Sequence, residues 1–249
     1  MQLDGLRMLL TPFPQEEFNP TDDRKTREPS LGVTCLDCHV NGHTTGQFHL
    51  TPDIRPEERR FRLDTVSLRG LFNQQIHGSK RSLRSVEDFT EFEQRTAYFN
   101  GDMIRAIKKG MNIIDRVPVT HMAQMQNMID FPPAPKLDPM TSRLNRKKAS
   151  PQEIQGEDLF FGKAKCALCH QPPAYTDHQM HDLHLERFGA QGDGPIKTFV
   201  LRGIKDSPPY LHDGRLPTLE DTVEFFNVVS ELKLNHEEKA ALVAFLRAL

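Results

Sequence analysis

The chain of 249 residues has no tryptophan, only three tyrosines and only four cysteines. So few cysteines exclude a disulfide-dense secreted scaffold and make their spacing the informative property. No stretch approaches the ~18 consecutive apolar residues of a spanning helix, which excludes an integral helical membrane protein. Net charge is lacking too. With 32 basic against 34 acidic side chains, the formal charge of -2 supplies no field to hold nucleic acid or an anionic membrane surface. The first residues, Met1 to Arg7, include Asp4 and show no apolar stretch of the kind that directs secretion. A processed chain or a piece of a longer one is the expectation. At this length the chain has room for one large domain or two small ones, and two is the working number.

Residues 11 to 34 are rich in Pro, Asp, Glu, Thr and Arg without a sustained period, and residues 1–30 are expected to form an irregular lead-in. Residues 130 to 150 hold four prolines and the basic run Arg146-Lys147-Lys148, the composition of a stiff exposed connector, so a Pro-rich basic linker is placed at 132–150. Ser150-Pro151-Gln152-Glu153 then offers an N-cap, a proline at the first helical position and a glutamate at the third, which predicts a helix to about Phe161. Asn235 with Glu238 repeats that signal ahead of Leu242, Phe245, Leu246 and Leu249, and Thr218 caps a helix bearing Leu219, Val223 and Phe226 on one face. Met122, Met125 and Met128 recur as a helical core stripe. No segment alternates in the manner of several strands, and the fold class is mainly α.

An internal repeat divides the chain. Asp64-Thr65-Val66-Ser67-Leu68-Arg69-Gly70 resembles Lys197-Thr198-Phe199-Val200-Leu201-Arg202-Gly203, and each is followed by a His-containing turn, His77-Gly78 in one half and His212-Asp213-Gly214 in the other. The cysteine pairs precede the two arginines by 34 and 36 residues, and a period above ~100 residues is domain duplication rather than a solenoid. A first domain at 31–131 and a second at 151–249 follow.

All four cysteines fall in two C-x-x-C-H units, Cys35-Leu36-Asp37-Cys38-His39 and Cys166-Ala167-Leu168-Cys169-His170, the attachment signature of c-type haem. Two cysteines three apart on a helical turn can form thioethers to the two vinyl groups, and the next residue then presents its imidazole to iron. A zinc site or a dithiol redox pair would not require His immediately after both pairs. Two covalently bound haem c groups in two cytochrome c-like domains are therefore expected, with His39 and His170 as iron ligands. Because such attachment is normally installed outside the cytoplasm, a periplasmic location is the expectation. The sixth ligands stay open: His43 and His49 follow the first motif, and Met180 and His181, with His178 and His184 nearby, follow the second. Arg69 and Arg202 suit haem propionates as bidentate donors, and His77 and His212 stand in repeat-equivalent turns as propionate or water-network partners.

On Gly156 to Phe161, the C-x-x-C-H unit, Tyr175-Thr176-Asp177, Leu201-Arg202-Gly203, Pro209-Tyr210-Leu211-His212-Asp213-Gly214 and Leu242 to Leu246, the second half resembles the bacterial di-haem cytochrome c peroxidase superfamily, which includes the methylamine-utilisation di-haem enzyme. The resemblance covers about residues 31 to 249. It implies two cytochrome c domains, a first haem that reacts with hydrogen peroxide, a second that relays electrons, a small redox protein as partner, and a calcium ion for which Asp64 is the candidate ligand. It also implies a distal acid in the helix after Leu83, where Glu91 and Glu93 stand as catalytic candidates together with His77, whose turn occupies the place of the family's inter-haem tryptophan. Phe226 stands where the classical peroxidases have a methionine ligand. The reading is a peroxidase-like oxidoreductase. The alternatives are an electron-transfer di-haem cytochrome without turnover, or a high-valent haem oxidase acting on a partner protein.

Overall fold

The computed structural model describes residues 1–12, 34–52, 60–74, 76–81, 83–91, 116–188 and 194–249. They are helical in the main, and the chain divides into two compact units. One comprises Met1–Phe72 with Leu83–Asp130, the other Asn73–Ser82 with Phe131–Leu249.

In the first unit, helix α1 (Gln2–Leu9) packs on α3 (Arg116–Gln126), and α2 (Cys35–Cys38) carries the first cysteine pair. The lead-in expected at 1–30 is thus corrected over residues 2–9. Gly5 and Leu9, one helical turn apart, are the buried positions of α1, and a Cβ on Gly5 would sit 2.6 Å from the His121 carbonyl carbon and 3.1 Å from Met125 Cβ. An eight-residue segment is too short to hold a helix alone, so its stability comes from the helix it docks on, which composition does not reveal. Residues 13–30 lie outside the described residues. Strand β1 (Phe48–Pro52) pairs antiparallel with β2 (Arg60–Asp64), Phe48 opposite Asp64. Leu68, Leu71, Val86 and Ala123 form the core, joined by Phe89 and Ile129. Of the methionine stripe, Met122 is fully buried whereas Met128 is exposed.

The second unit is built on α4 (Pro151–Phe161), α5 (Leu219–Val229) and α6 (His236–Leu246). Their caps are those the sequence predicts: Ser150 Oγ accepts from Glu153 N at 3.2 Å, Thr218 Oγ1 from Asp221 N at 3.0 Å and Asn235 Oδ1 from Glu238 N at 2.9 Å. Phe160, Tyr175 and Phe245 pack edge to face between α4 and α6, with centroids 5.1 to 6.0 Å apart. Strands β3 (Met180–His181) and β4 (Ile196–Lys197) form a second short antiparallel ribbon. Both ribbons are too brief to show an alternating pattern.

The exposed linker expected at 132–150 is a packed strap instead. Leu137 and Leu144 enter the core of the second unit. Glu157 on α4, only 1% exposed, accepts from Arg143 Nε and from Leu144 N, both at 2.8 Å. A buried carboxylate compensates one of the basic side chains that made the segment read as solvated, and two leucines anchor it.

The units repeat each other in detail. A Cβ on Gly156 would meet Ala241 and Phe245 as one on Gly5 would meet His121 and Met125. Thr65 N donates to Gln47 O at 3.1 Å and Thr198 N to Gln179 O at 2.9 Å. Gly70 and Gly203, at φ +71° and +76°, donate to Ile129 O and Leu249 O. This left-handed backbone costs glycine nothing sterically, which is why both copies of Leu-Arg-Gly end in it.

Candidate functional site

Thr34 starts α2 with a reciprocal cap: its Oγ1 accepts from Asp37 N at 3.1 Å while its own N donates to Asp37 Oδ2 at 2.6 Å. The single turn that follows holds Cys35 and Cys38 one helical step apart, and His39 N closes it on Cys35 O at 3.0 Å. The second motif is a single tight turn over Cys166–Leu168, and His170 N closes on Cys166 O at 2.9 Å. No disulfide joins the four cysteines, and each is partly exposed.

The two histidines are held alike. His39 Nδ1 donates to His43 O at 3.1 Å, and His170 Nδ1 donates to Tyr175 O at 2.9 Å. A carbonyl only accepts, so each Nδ1 carries the hydrogen and each Nε2 keeps the lone pair that binds a metal. Burial holds the His170 pKa below its usual value, against the opposing pull of the Tyr175 carbonyl, and so favours the neutral, ligating imidazole. Burial also pushes the Cys166 thiol up to about 12, which keeps it protonated unless it is bonded. Paired cysteines one turn apart and a pre-oriented imidazole are the donor set that haem c needs, and both motifs fit it.

Tyr175, which the sequence offered only as part of the resemblance and with no role, supports the His170 ring. Fully buried and in left-handed conformation at φ +61°, it aims its carbonyl at His170 while its hydroxyl donates to Ser142 O on the strap at 2.6 Å. Its place five residues after His170 was the available signal.

The other expected site residues are distributed as follows. His43 supports His39 through its carbonyl and bonds Ser67 Oγ through Nδ1 at 2.6 Å. His49 lies in β1, opposite Leu63, with its side chain outside the described residues. His181 Nε2 is engaged by Asp177 Oδ2 at 2.7 Å, and together with Cys169 these groups lie within 4.8 Å of one another. Met180 is half-buried beside it in β3. Arg202 is no free fork: its Nε donates to Leu249 O at 2.9 Å and its Nη2 to Pro132 O at 3.1 Å, because a carboxy-terminal helix end presents carbonyls to it. The Arg69 amide donates to Ser67 Oγ at 3.1 Å. His77 is buried at 2% exposure, and His212 is half-buried. Glu91 pairs with Arg116, while Glu93 lies outside the described residues. Asp64 belongs to neither of the two clusters of metal-ligating side chains among the described residues, so the calcium expectation gains no support. No helix among the described residues is long and apolar enough to cross a membrane.

No family model matches the chain. The methylamine utilization protein MauG of Methylorubrum extorquens is 32% identical over 118 residues, 38% of this chain and 33% of that protein. The cytochrome c551 peroxidase of Nitrosomonas europaea is 28% identical over 152 residues, 55% of this chain and 44% of that protein. The matches thus span less than half the length of these relatives. In fold, the chain is similar to the di-haem peroxidase BthA from Burkholderia thailandensis, with a TM-score of 0.66 at 14% identity over 100% of this chain and 85% of that one. With two C-x-x-C-H units on two repeated helical units, the chain is thus similar in part of its sequence to MauG and to a bacterial cytochrome c peroxidase, and in fold to a di-haem peroxidase.

Proposed function

We propose that the chain is a di-haem peroxidase-type oxidoreductase of the periplasm that carries two covalently attached haem c groups and reduces hydrogen peroxide with electrons from a small redox protein. The observation that carries the reading is the paired arrangement of His39 and His170, each with Nδ1 tied to a backbone carbonyl and Nε2 left as the lone-pair nitrogen. The balance is peroxide plus two electrons and two protons to two waters. Haem c, when bound, supplies the redox-active iron for that exchange. The chain contributes the rest: Cys35 and Cys38, and Cys166 and Cys169, tether the groups, while the carbonyls of His43 and Tyr175 orient the imidazoles. Glu91, in the helical stretch after Leu83, serves as proton carrier to the leaving oxygen, with Arg116 holding its carboxylate in place.

A second reading is favoured by Phe226. It meets Phe225 edge to face at 5.3 Å and offers no ligating atom on α5, where the classical peroxidases have a methionine. Oxidation of a large partner substrate, in the manner of the methylamine-utilisation enzyme, is the function this departure supports.

Stopped-flow mixing of the haem-loaded chain with peroxide tests the assignment. His39→Gly abolishes peroxide turnover, whereas His170→Gly slows electron delivery and leaves the initial peroxide reaction visible. The opposite pattern would exchange the roles of the two sites, and a wild-type protein inert to peroxide in every redox state would end the peroxidase reading.

A further inference from the structure

One buried cation has no part in the chemistry above. Lys197 in β4 is 3% exposed; its ammonium donates to Gln74 O at 2.6 Å and Ile76 O at 3.0 Å and lies 5.2 Å from the centre of the Phe199 ring. Carbonyls and a ring face offer partial charges only, and among the described residues no carboxylate pairs with it.

Beside it stand two buried nitrogens without partners. Arg81 Nε and His178 Nδ1 are buried and meet no acceptor. The three groups act on one another: burial and Arg81 pull the Lys197 pKa down to about 8, and burial, then Lys197, pull that of His178 down, with Asp177 opposing and Arg81 adding to the fall. Asp177, the adjacent acid, is engaged by His181 Nε2 at 2.7 Å and by Gln179 N at 2.9 Å. A buried unsatisfied donor costs ~1–3 kcal/mol, and an unpaired buried cation costs more. An orphaned guanidinium nitrogen and an imidazole nitrogen, which donates in the tautomer that carries its hydrogen on Nδ1, beside an ammonium without a counter-ion describe a site that an anion completes.

We propose that Arg81, His178 and Lys197 form a seat for a carboxylate, and that its occupant is a propionate of the haem held by Cys166, Cys169 and His170. Asp177, the residue before His178, has its carboxylate within 4.8 Å of Cys169 Sγ and of His181, which ties this edge of the seat to the second motif. Haem c brings its own carboxylates into the protein, and each needs donors once buried. Arg202, the arginine the repeat pattern favours for that role, has its Nε and Nη2 bonded to the carbonyls of Leu249 and Pro132. Arg81 has an orphaned nitrogen to give. The proposal rests on haem attachment at the second motif and is independent of peroxide turnover.

Spectroelectrochemical titration of the haem-loaded chain tests it, with the wave of the second haem identified by its disturbance in Cys166→Ala. Arg81→Gln removes a cation that favours the reduced haem, so the second wave moves to lower potential and the first stays in place. Arg81→Lys restores most of the shift. A coloured Arg81→Gln protein whose second wave is stationary, or in which only the first wave moves, overturns the proposal. If acetate or inorganic phosphate added to the wild type shifts the second wave saturably, and Arg81→Gln loses that response, the seat takes a free anion and the propionate assignment falls. A colourless protein would end the haem reading itself, an outcome distinct from a stationary wave.

Discussion

Gly156→Ala places two opposing effects on one residue, and the structure decides the sign. In a helix interior, alanine is favoured over glycine by ~1 kcal/mol, so at an open position the substitution stabilises. Here the added Cβ would meet the Ala241 carbonyl, 2.6 Å from its carbon, and would lie 2.8 Å from Phe245 Cβ. Neither is the tip of a flexible side chain, so α4 and α6 must separate. Overpacking of this kind costs ~1–3 kcal/mol, and loosening the edge-to-face contacts of Phe160 with Tyr175 and Phe245 adds ~0.5–1.5 kcal/mol for each pair weakened. Net destabilisation of about 1–5 kcal/mol remains after the propensity gain when both pairs are weakened. Urea unfolding of the haem-loaded protein measures it as a lower midpoint with an unchanged slope. Because the same crossing supports Tyr175, whose carbonyl holds His170, the spectrum of the second haem should broaden or shift before global unfolding. A neutral or stabilised Gly156→Ala variant would refute the close helix approach and the support it lends to the site.

Four further outcomes are expected. Gly5→Ala destabilises the first unit for the same reason, with His121 and Met125 as the obstacles, and limited proteolysis of α1 detects it. Glu157→Ala leaves Arg143 Nε and the buried Leu144 amide without their acceptor; with Arg143 partly exposed the cost is ~2–3 kcal/mol, read as a lower unfolding midpoint. Tyr175→Phe deletes only the hydroxyl donation to Ser142 O, so it loses ~1 kcal/mol while the backbone carbonyl keeps His170 ligated, and an unchanged low-temperature EPR spectrum checks that separation. Cys35→Ala and Cys166→Ala should each disturb the spectrum of one haem, and only the double variants Cys35→Ala/Cys38→Ala and Cys166→Ala/Cys169→Ala should lose one covalently held haem, seen as half the colour becoming extractable by acid-acetone or missing; tetrahedral zinc in a colourless wild type would contradict both.

The candidate haem-attachment residues were legible in the linear chain because their chemistry is local. Two cysteines and a histidine within five residues need one helical turn and nothing from elsewhere, so C-x-x-C-H is complete as written at Cys35–His39 and Cys166–His170. The caps at Ser150, Thr218 and Asn235 were legible for the same reason, since each satisfies a backbone donor three residues away. The duplication around Leu-Arg-Gly was also readable, because a repeated φ-positive glycine leaves the same residue in both copies.

Tertiary structure alone decided what depends on partners distant in the chain. Helix α1 exists because Gly5 lets it approach α3, more than a hundred residues on, and no short-range pattern in eight residues records that. The strap at 132–150 has the composition of a solvated linker, yet a buried glutamate on α4 and two core leucines fix it in place. Arg202 was promising as an anion donor until the carbonyls of Leu249 and Pro132 claimed its nitrogens, whereas Arg81 and His178, unremarkable as separate residues, each keep a buried nitrogen without a partner close to the Lys197 ammonium, which has carbonyls but no counter-ion. The identity of a ligand-binding residue can be written in a motif, but whether a charged group is available or already satisfied is set by burial and by the groups that folding brings beside it.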